Sequence, residues 1–159
     1  MRQPPIHSID KRALKVWKIN AGILLGIIWI IISVVASIAF IHDWPIVYVL
    51  VPAILNLIAT YLFLFPIPKL RYRRWRYEIF EQEIYIQRGI FIMERTLVPM
   101  IRVQHVDTKQ GPIMKHYGVA SVSISTAATV HTIPALSEED ASDLRDRISE
   151  LARVDEDDV

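Results

Sequence analysis

The sequence contains no cysteine among its 159 residues. Disulfides, thiolate nucleophiles and cysteine-ligated zinc are thereby excluded, and the redox compartment is left open. Glycine is scarce, with 5 in the whole chain, and no glycine-rich loop of the kind that cradles phosphate is present. The nucleophile pattern G-x-S-x-G and the metal pattern H-E-x-x-H are absent too. His105, His116 and His131 lack close metal-ligand spacing, so no metal site is expected. Glu78, Glu81 and Glu83 follow the basic run Arg71 to Arg76 and read as charge balance at a solvated sheet edge. Catalytic carboxylates would need burial or close opposition to separate their pKa values. No catalytic residue, metal or cofactor is expected, and the chain reads as a non-enzyme.

A further absence organises the chain. From Ile19 to Ile41 there are 23 residues without a charge, and from Ile46 to Ile67 a further 22. At 1.5 Å per helical residue the first run reaches ~34 Å, enough to cross a hydrocarbon core ~30 Å thick. The break His42-Asp43-Trp44-Pro45 is too short for a globular loop, so residues 19–67 are expected to form a transmembrane helical hairpin. A cleaved secretory signal is the competing reading of the first run and is not expected, because the run exceeds the h-region length and a second spanning run follows at once.

What surrounds the hairpin is charged. Five bases precede it (Arg2, Lys11, Arg12, Lys15, Lys18), none lies in the break, and five follow (Lys69, Arg71, Arg73, Arg74, Arg76). The bias of Lys and Arg towards the cytoplasm puts both termini, and the domain after the hairpin, inside. Residues 1–18 read as a basic segment in which Ile6, Ile9, Ala13 and Trp17 share one helical face, suited either to a helix lying in the interface or to a disordered orienting tag. Arg71, Arg73, Arg74, Trp75 and Arg76 are candidates for a lipid or membrane-interface site, chiefly as an anchor to anionic lipid. Nucleic acid is excluded as a partner, since these bases are tethered at the bilayer and no nucleic-acid motif accompanies them.

Inside the spans, Gly22 and Gly26 form a G-x-x-x-G that is a candidate for close helix packing, in first place against the second span. Asn56, the lone amide at mid-membrane depth, is a candidate for helix–helix hydrogen bonding, because an amide in hydrocarbon needs a partner. The spans carry no ionisable group, which makes a transport path the weakest reading.

From Trp75 the hydrophobic period becomes two. Glu83 to Gln87 and Ile90 to Val98 read as a hairpin about Gly89, Pro99 as an edge or a break in pairing, and Arg102 to Thr108 as a strand. On such a strand Arg102 and Gln104 share a face and are a candidate subunit contact. Val119 to Ser125 and Thr129 to Ile133 continue the sheet. Ser137 with Asp140 opens a last helix whose stripe is Ala141, Leu144, Ile148 and Leu151. The expected fold is an α+β membrane protein with residues 69–153 as one domain and 154–159 as an acidic tail.

Several of these features occur together in one known family. The run E-x-E-I-Y-I-x-R-G from Glu81, Pro99 followed by Arg102-Val103-Gln104, the turn Gln110-Gly111-Pro112, and Tyr117-Gly118-Val119-Ala120 leading to Ser125-Thr126-Ala127 resemble the bacterial pleckstrin-homology-like domains, formerly called membrane-flanked domains. The two spans and short length are similar to its small two-span members. The resemblance covers roughly residues 71–136 and departs from the family at Ala128, where glycine is usual. It implies a bent antiparallel sheet of about seven strands capped by the C-terminal helix. It also implies a larger membrane protein carrying several copies of the same domain as partner, with self-association as a further expectation. A contribution to envelope defence against membrane-active peptides rests on the resemblance alone. The alternative function is an anionic-lipid sensor.

Overall fold

In the computed structural model residues 3–157 are described, with side chains as far as Arg153. Arg2 and the last two residues of the acidic tail lie outside the described residues. The chain divides into two compact units, Trp17–Lys69 and the pair of segments Met1–Val16 and Leu70–Val159.

The helical unit is built from α1 (Ala13–Ile41) and α2 (Val47–Leu64), followed by the start of α3 (Pro66–Arg74). The segments Ala13–Ile41 and Val47–Arg74 are both long and apolar enough to cross a membrane. α1 ends where Asp43 takes a left-handed φ of 52° and the Trp44 amide donates to the Ala39 carbonyl at 2.9 Å, a closing turn at the helix C-terminus. α2 stops at Leu64, and Pro66 occupies the first position of α3, where a missing N–H costs nothing.

Within this unit Asn56 is buried and turns its amide towards the Leu25 carbonyl at 3.5 Å, so the lone mid-span amide does link the two helices. Thr60 caps the Asn56 carbonyl at 2.7 Å. The glycine pair behaves otherwise. A Cβ added at Gly22 or Gly26 would meet nothing within 4 Å, so neither glycine is a point of close approach to the second span. Ser33 and Ser37, on the same side, satisfy their hydroxyls on the Trp29 and Ser33 carbonyls one turn back.

The second unit holds two antiparallel sheets. One runs in the order β1 (His7–Ser8), β2 (Arg76–Ile79), β3 (Glu83–Arg88), β4 (Glu94–Pro99), the other β5 (Val103–Lys109), β6 (Val119–Thr126), β7 (Val130–Ser137). A short helix α4 (Pro112–His116) joins β5 to β6, and α5 (Glu138–Asp157) closes the chain. Ile84, Ile86, Val98, Met100, Val119, Val122, Ile124, Ile133, Leu136, Ala141 and Ile148 form the core. β6 is covered on both faces, including Ser123 and Ser125. Ser123 meets the Thr132 hydroxyl at 3.3 Å directly across the ladder. α5 begins as its sequence implied, with the Asp140 amide donating to Ser137 Oγ at 3.0 Å as an N-cap.

Residues 3–16 are where the expectation of a separate N-terminal segment fails. His7 and Ser8 pair with Tyr77 and Arg76 as the edge strand β1, and Ile9, Ala13 and Val16 are core residues of the sheet unit. Of the stripe seen in the sequence, Ile9 and Ala13 are therefore buried within the sheet unit. Ile6, at one end of that stripe, remains exposed.

Candidate functional site

The chain leaves the first sheet at Pro99, makes a 3-10 turn over Met100–Arg102, and enters the second sheet at Val103. Pro99 cannot donate to a ladder, which suits it to the end of an edge strand; there it lies opposite Glu83 in register. Met100 anchors the turn, fully buried, with its amide on the Gln82 carbonyl at 2.9 Å. Two residues of β5, Gln104 and His105, then follow Val103 where β6 advances by one, so Gln104 is the extra residue of a bulge. A bulge re-aims a side chain and bends its strand.

These three devices open a groove of about 580 Å³. Leu97, Pro99 and Ile101 line one side, and the β6–β7 turn from Thr126 to Thr129 lines the other together with His131. Arg102 and Gln104 both line it, so the candidate contact pair is brought together, but not as two alternate residues of one strand. Arg102 belongs to the 3-10 turn and Gln104 to the bulge. Leu97 is 47% and Ile101 56% exposed. The exposure of Leu97 was legible in the run Leu97-Val98, since neighbours on a strand face opposite ways and only one can enter the core; Val98 is the one buried.

The turn beyond needs no glycine at Ala128. The Thr126 amide and hydroxyl both meet the Thr129 carbonyl at 2.9 Å, and neither Ala127 nor Ala128 has a positive φ. His131 is held below the ordinary imidazole range by burial and, secondarily, by the positive charge of Arg88, so at neutral pH the groove's histidine is uncharged.

The basic candidates are split among different tasks. Arg71, Arg73 and Arg74 stand on α3, and Arg76 on β2. Arg73 is exposed. Arg74 donates to the Ile90 carbonyl, and Arg76 reaches the Ile6 carbonyl at 3.5 Å. Trp75 is 3% exposed and belongs to the core. The interface role expected of Trp75 is therefore not what the structure gives it: its indole lies in the sheet unit, where the chain changes from α3 to β2.

A smaller cavity is lined by His7, Tyr77, Asp140, Asp143 and Arg147. Burial, helped by the negative charge of Asp140, pushes the Tyr77 phenol up, so it stays protonated, the opposite of an activated nucleophile. Among the described residues no group of three or more His, Asp or Glu could hold a metal ion.

Two antiparallel sheets closed by a C-terminal helix, behind two apolar helices, are the arrangement that the sequence resemblance implied. The family model described as "Bacterial PH domain" matches residues 13–152. The chain belongs to the bacterial PH domain family. It is 48% identical over 159 residues to the UPF0699 transmembrane protein YdbS of Bacillus subtilis (strain 168), with all of both chains covered. No solved structure matches it. The chain is thus a membrane protein of the bacterial PH domain family. The match begins at Ala13 and so takes in the helices as well as the sheets, which makes the spans part of the family pattern.

Proposed function

We propose that this bacterial PH domain protein is a non-enzymatic, membrane-anchored interaction subunit, docking through the groove between β4 and the β6–β7 turn. The observation that carries the reading is the pair Leu97 and Ile101, exposed beside Arg102 and Gln104 in one concave site. An apolar centre rimmed by polar groups is the anatomy of a protein-binding surface. The partner is a larger membrane protein with several copies of the same domain, and the setting is the bacterial cytoplasmic membrane with both termini inside. These two elements rest on the family resemblance and on the five-none-five distribution of Lys and Arg. A contribution to envelope defence against membrane-active peptides is the physiological role we attach to such a complex.

A second reading, an anionic-lipid sensor, is favoured by Lys69, Arg71 and Arg73, all exposed on α3. Such a cluster attracts anionic lipid at ~1 kcal/mol per base without choosing among headgroups. Purification of the full chain in mild detergent separates the two. A stoichiometric same-family membrane protein supports the docking subunit. A lone chain or self-associated copies, together with a ranking among lipids of equal charge that survives high salt, would replace it with the sensor.

A further inference from the structure

The β3–β4 hairpin ends in Ile90-Phe91-Ile92-Met93, and this tip is not covered by its own unit. Phe91 is 87% and Ile92 80% exposed, the largest exposures among the apolar side chains of the sheet unit. We infer that the tip is a wedge that enters the interfacial layer of the bilayer in which the chain is anchored.

The tip is presented rigidly. Gly89 has a φ of 138°, and a Cβ there would lie 1.9 Å from the Ile92 carbonyl oxygen, so the turn closes on its first residue as tightly as a backbone can. At its base Arg88 and Glu94 face each other in register and form an ion pair at 2.9 Å, while Arg95 donates to Gln87 Oε1 at 3.1 Å. The Arg74 guanidinium holds the Ile90 carbonyl. A mobile loop would hide such residues by collapse; this one is braced with them outward.

The bilayer is the occupant that the surroundings fit. Arg74 is the last residue of α3 and follows Leu64, the end of α2, by ten residues of chain, so the brace of the tip is tethered close to the spans along the sequence. At the tip's base stand Arg74, Arg88 and Arg95, with Glu94 paired to Arg88. This collar suits anionic headgroups. Turn backbone that lacks hydrogen-bond partners cannot go deep into hydrocarbon, which limits the wedge to the interfacial layer where a phenyl and two isoleucyl groups gain most from leaving water. None of the tip residues 90–93 lines the docking groove.

Because the chain has no cysteine, a nitroxide can be placed at a single site. The full chain would carry Phe91→Cys, Ile92→Cys or, as an exposed control on β5, Thr108→Cys. Each would be reconstituted in phosphatidylcholine vesicles containing phosphatidylglycerol, with oxygen and a water-soluble nickel chelate present on both sides. All three positions are exposed, so folding is not at stake. We expect the ratio of oxygen to nickel collisions to rise at 91 and 92 relative to 108, and to stay raised at high salt. Equal ratios at the three sites would overturn the wedge by leaving the tip in water. Suppression of both collision rates at 91 and 92 would overturn it by showing the tip packed against protein.

Discussion

Arg12 donates through Nη1 to the Gly118 carbonyl oxygen at 3.1 Å, across 106 positions of the chain. The same nitrogen reaches the Tyr117 carbonyl at 3.1 Å. Asp10 accepts from the other edge of the guanidinium at 3.0 and 2.8 Å. The hydrogen bond from Arg12 holds the Asp10 carboxyl below the ordinary carboxylate range. One side chain thus fastens the N-terminal segment to the turn where α4 meets β6.

Replacing Arg12 by Ala should release that segment without unfolding the sheets. The Asp10 amide, bonded to the Ala135 carbonyl at 3.0 Å, should exchange its proton faster, while the Ile124 amide in the central strand β6 keeps its protection. Equal acceleration at both would show that the clamp supports the whole unit.

Ile148→Asp should unfold the sheet unit. Ile148 is fully buried on α5, and an unpaired carboxylate there costs several kcal/mol against a total stability of ~5–15 kcal/mol. Leu144→Asp should be milder, because Leu144 is only half-buried. Limited proteolysis of both variants checks the order, and unchanged resistance for Ile148→Asp would show that α5 does not pack on the sheets.

The contrast between Leu144 and Ile148 shows what a pattern can and cannot tell. The stripe Ala141, Leu144, Ile148, Leu151 located the helix and its inward side, as the uncharged runs located the spans, because burial and lipid impose their periods directly on residue type. Partners distant in sequence leave no such mark. Nothing near Ile9 announces that it meets a sheet formed more than sixty residues later. Trp75 misled for a related reason: bases around an aromatic look the same whether the ring faces a headgroup or a core. The candidate pair Arg102 and Gln104 was found on the right segment, but the 3-10 turn and the bulge that bring them to one groove depend on how β6 receives β5.

His131 should make the sheet unit less stable in mild acid. Its folded pKa lies below that of the free imidazole through burial and Arg88, so the unfolded chain binds the proton more readily. That contribution is complete above the unfolded value and is lost as pH falls through the folded one. Because the ring is partly exposed, the effect is modest. His131→Gln should flatten the acid side of a stability-against-pH curve, and an unchanged curve would exclude the histidine as its cause.

Asn56→Leu tests the link between the helices. The hydrogen bond to Leu25 is long at 3.5 Å, so the loss should be near or below the ~0.6 kcal/mol typical of such bonds between spans. Unfolding in mixed detergent micelles measures it. A loss of several kcal/mol would mean that the amide holds more than this one carbonyl.

The central claim is that a second membrane protein docks where Leu97 and Ile101 are exposed, and a photo-crosslinking residue at position 101, in the full chain in its native membrane, tests it most directly. The account predicts a single adduct with a larger membrane protein carrying repeated bacterial PH domains, lost when Leu97 is changed to Glu, with none from the exposed position 115 on α4. The absence of an adduct at 101, or the same adduct from both positions, would contradict it.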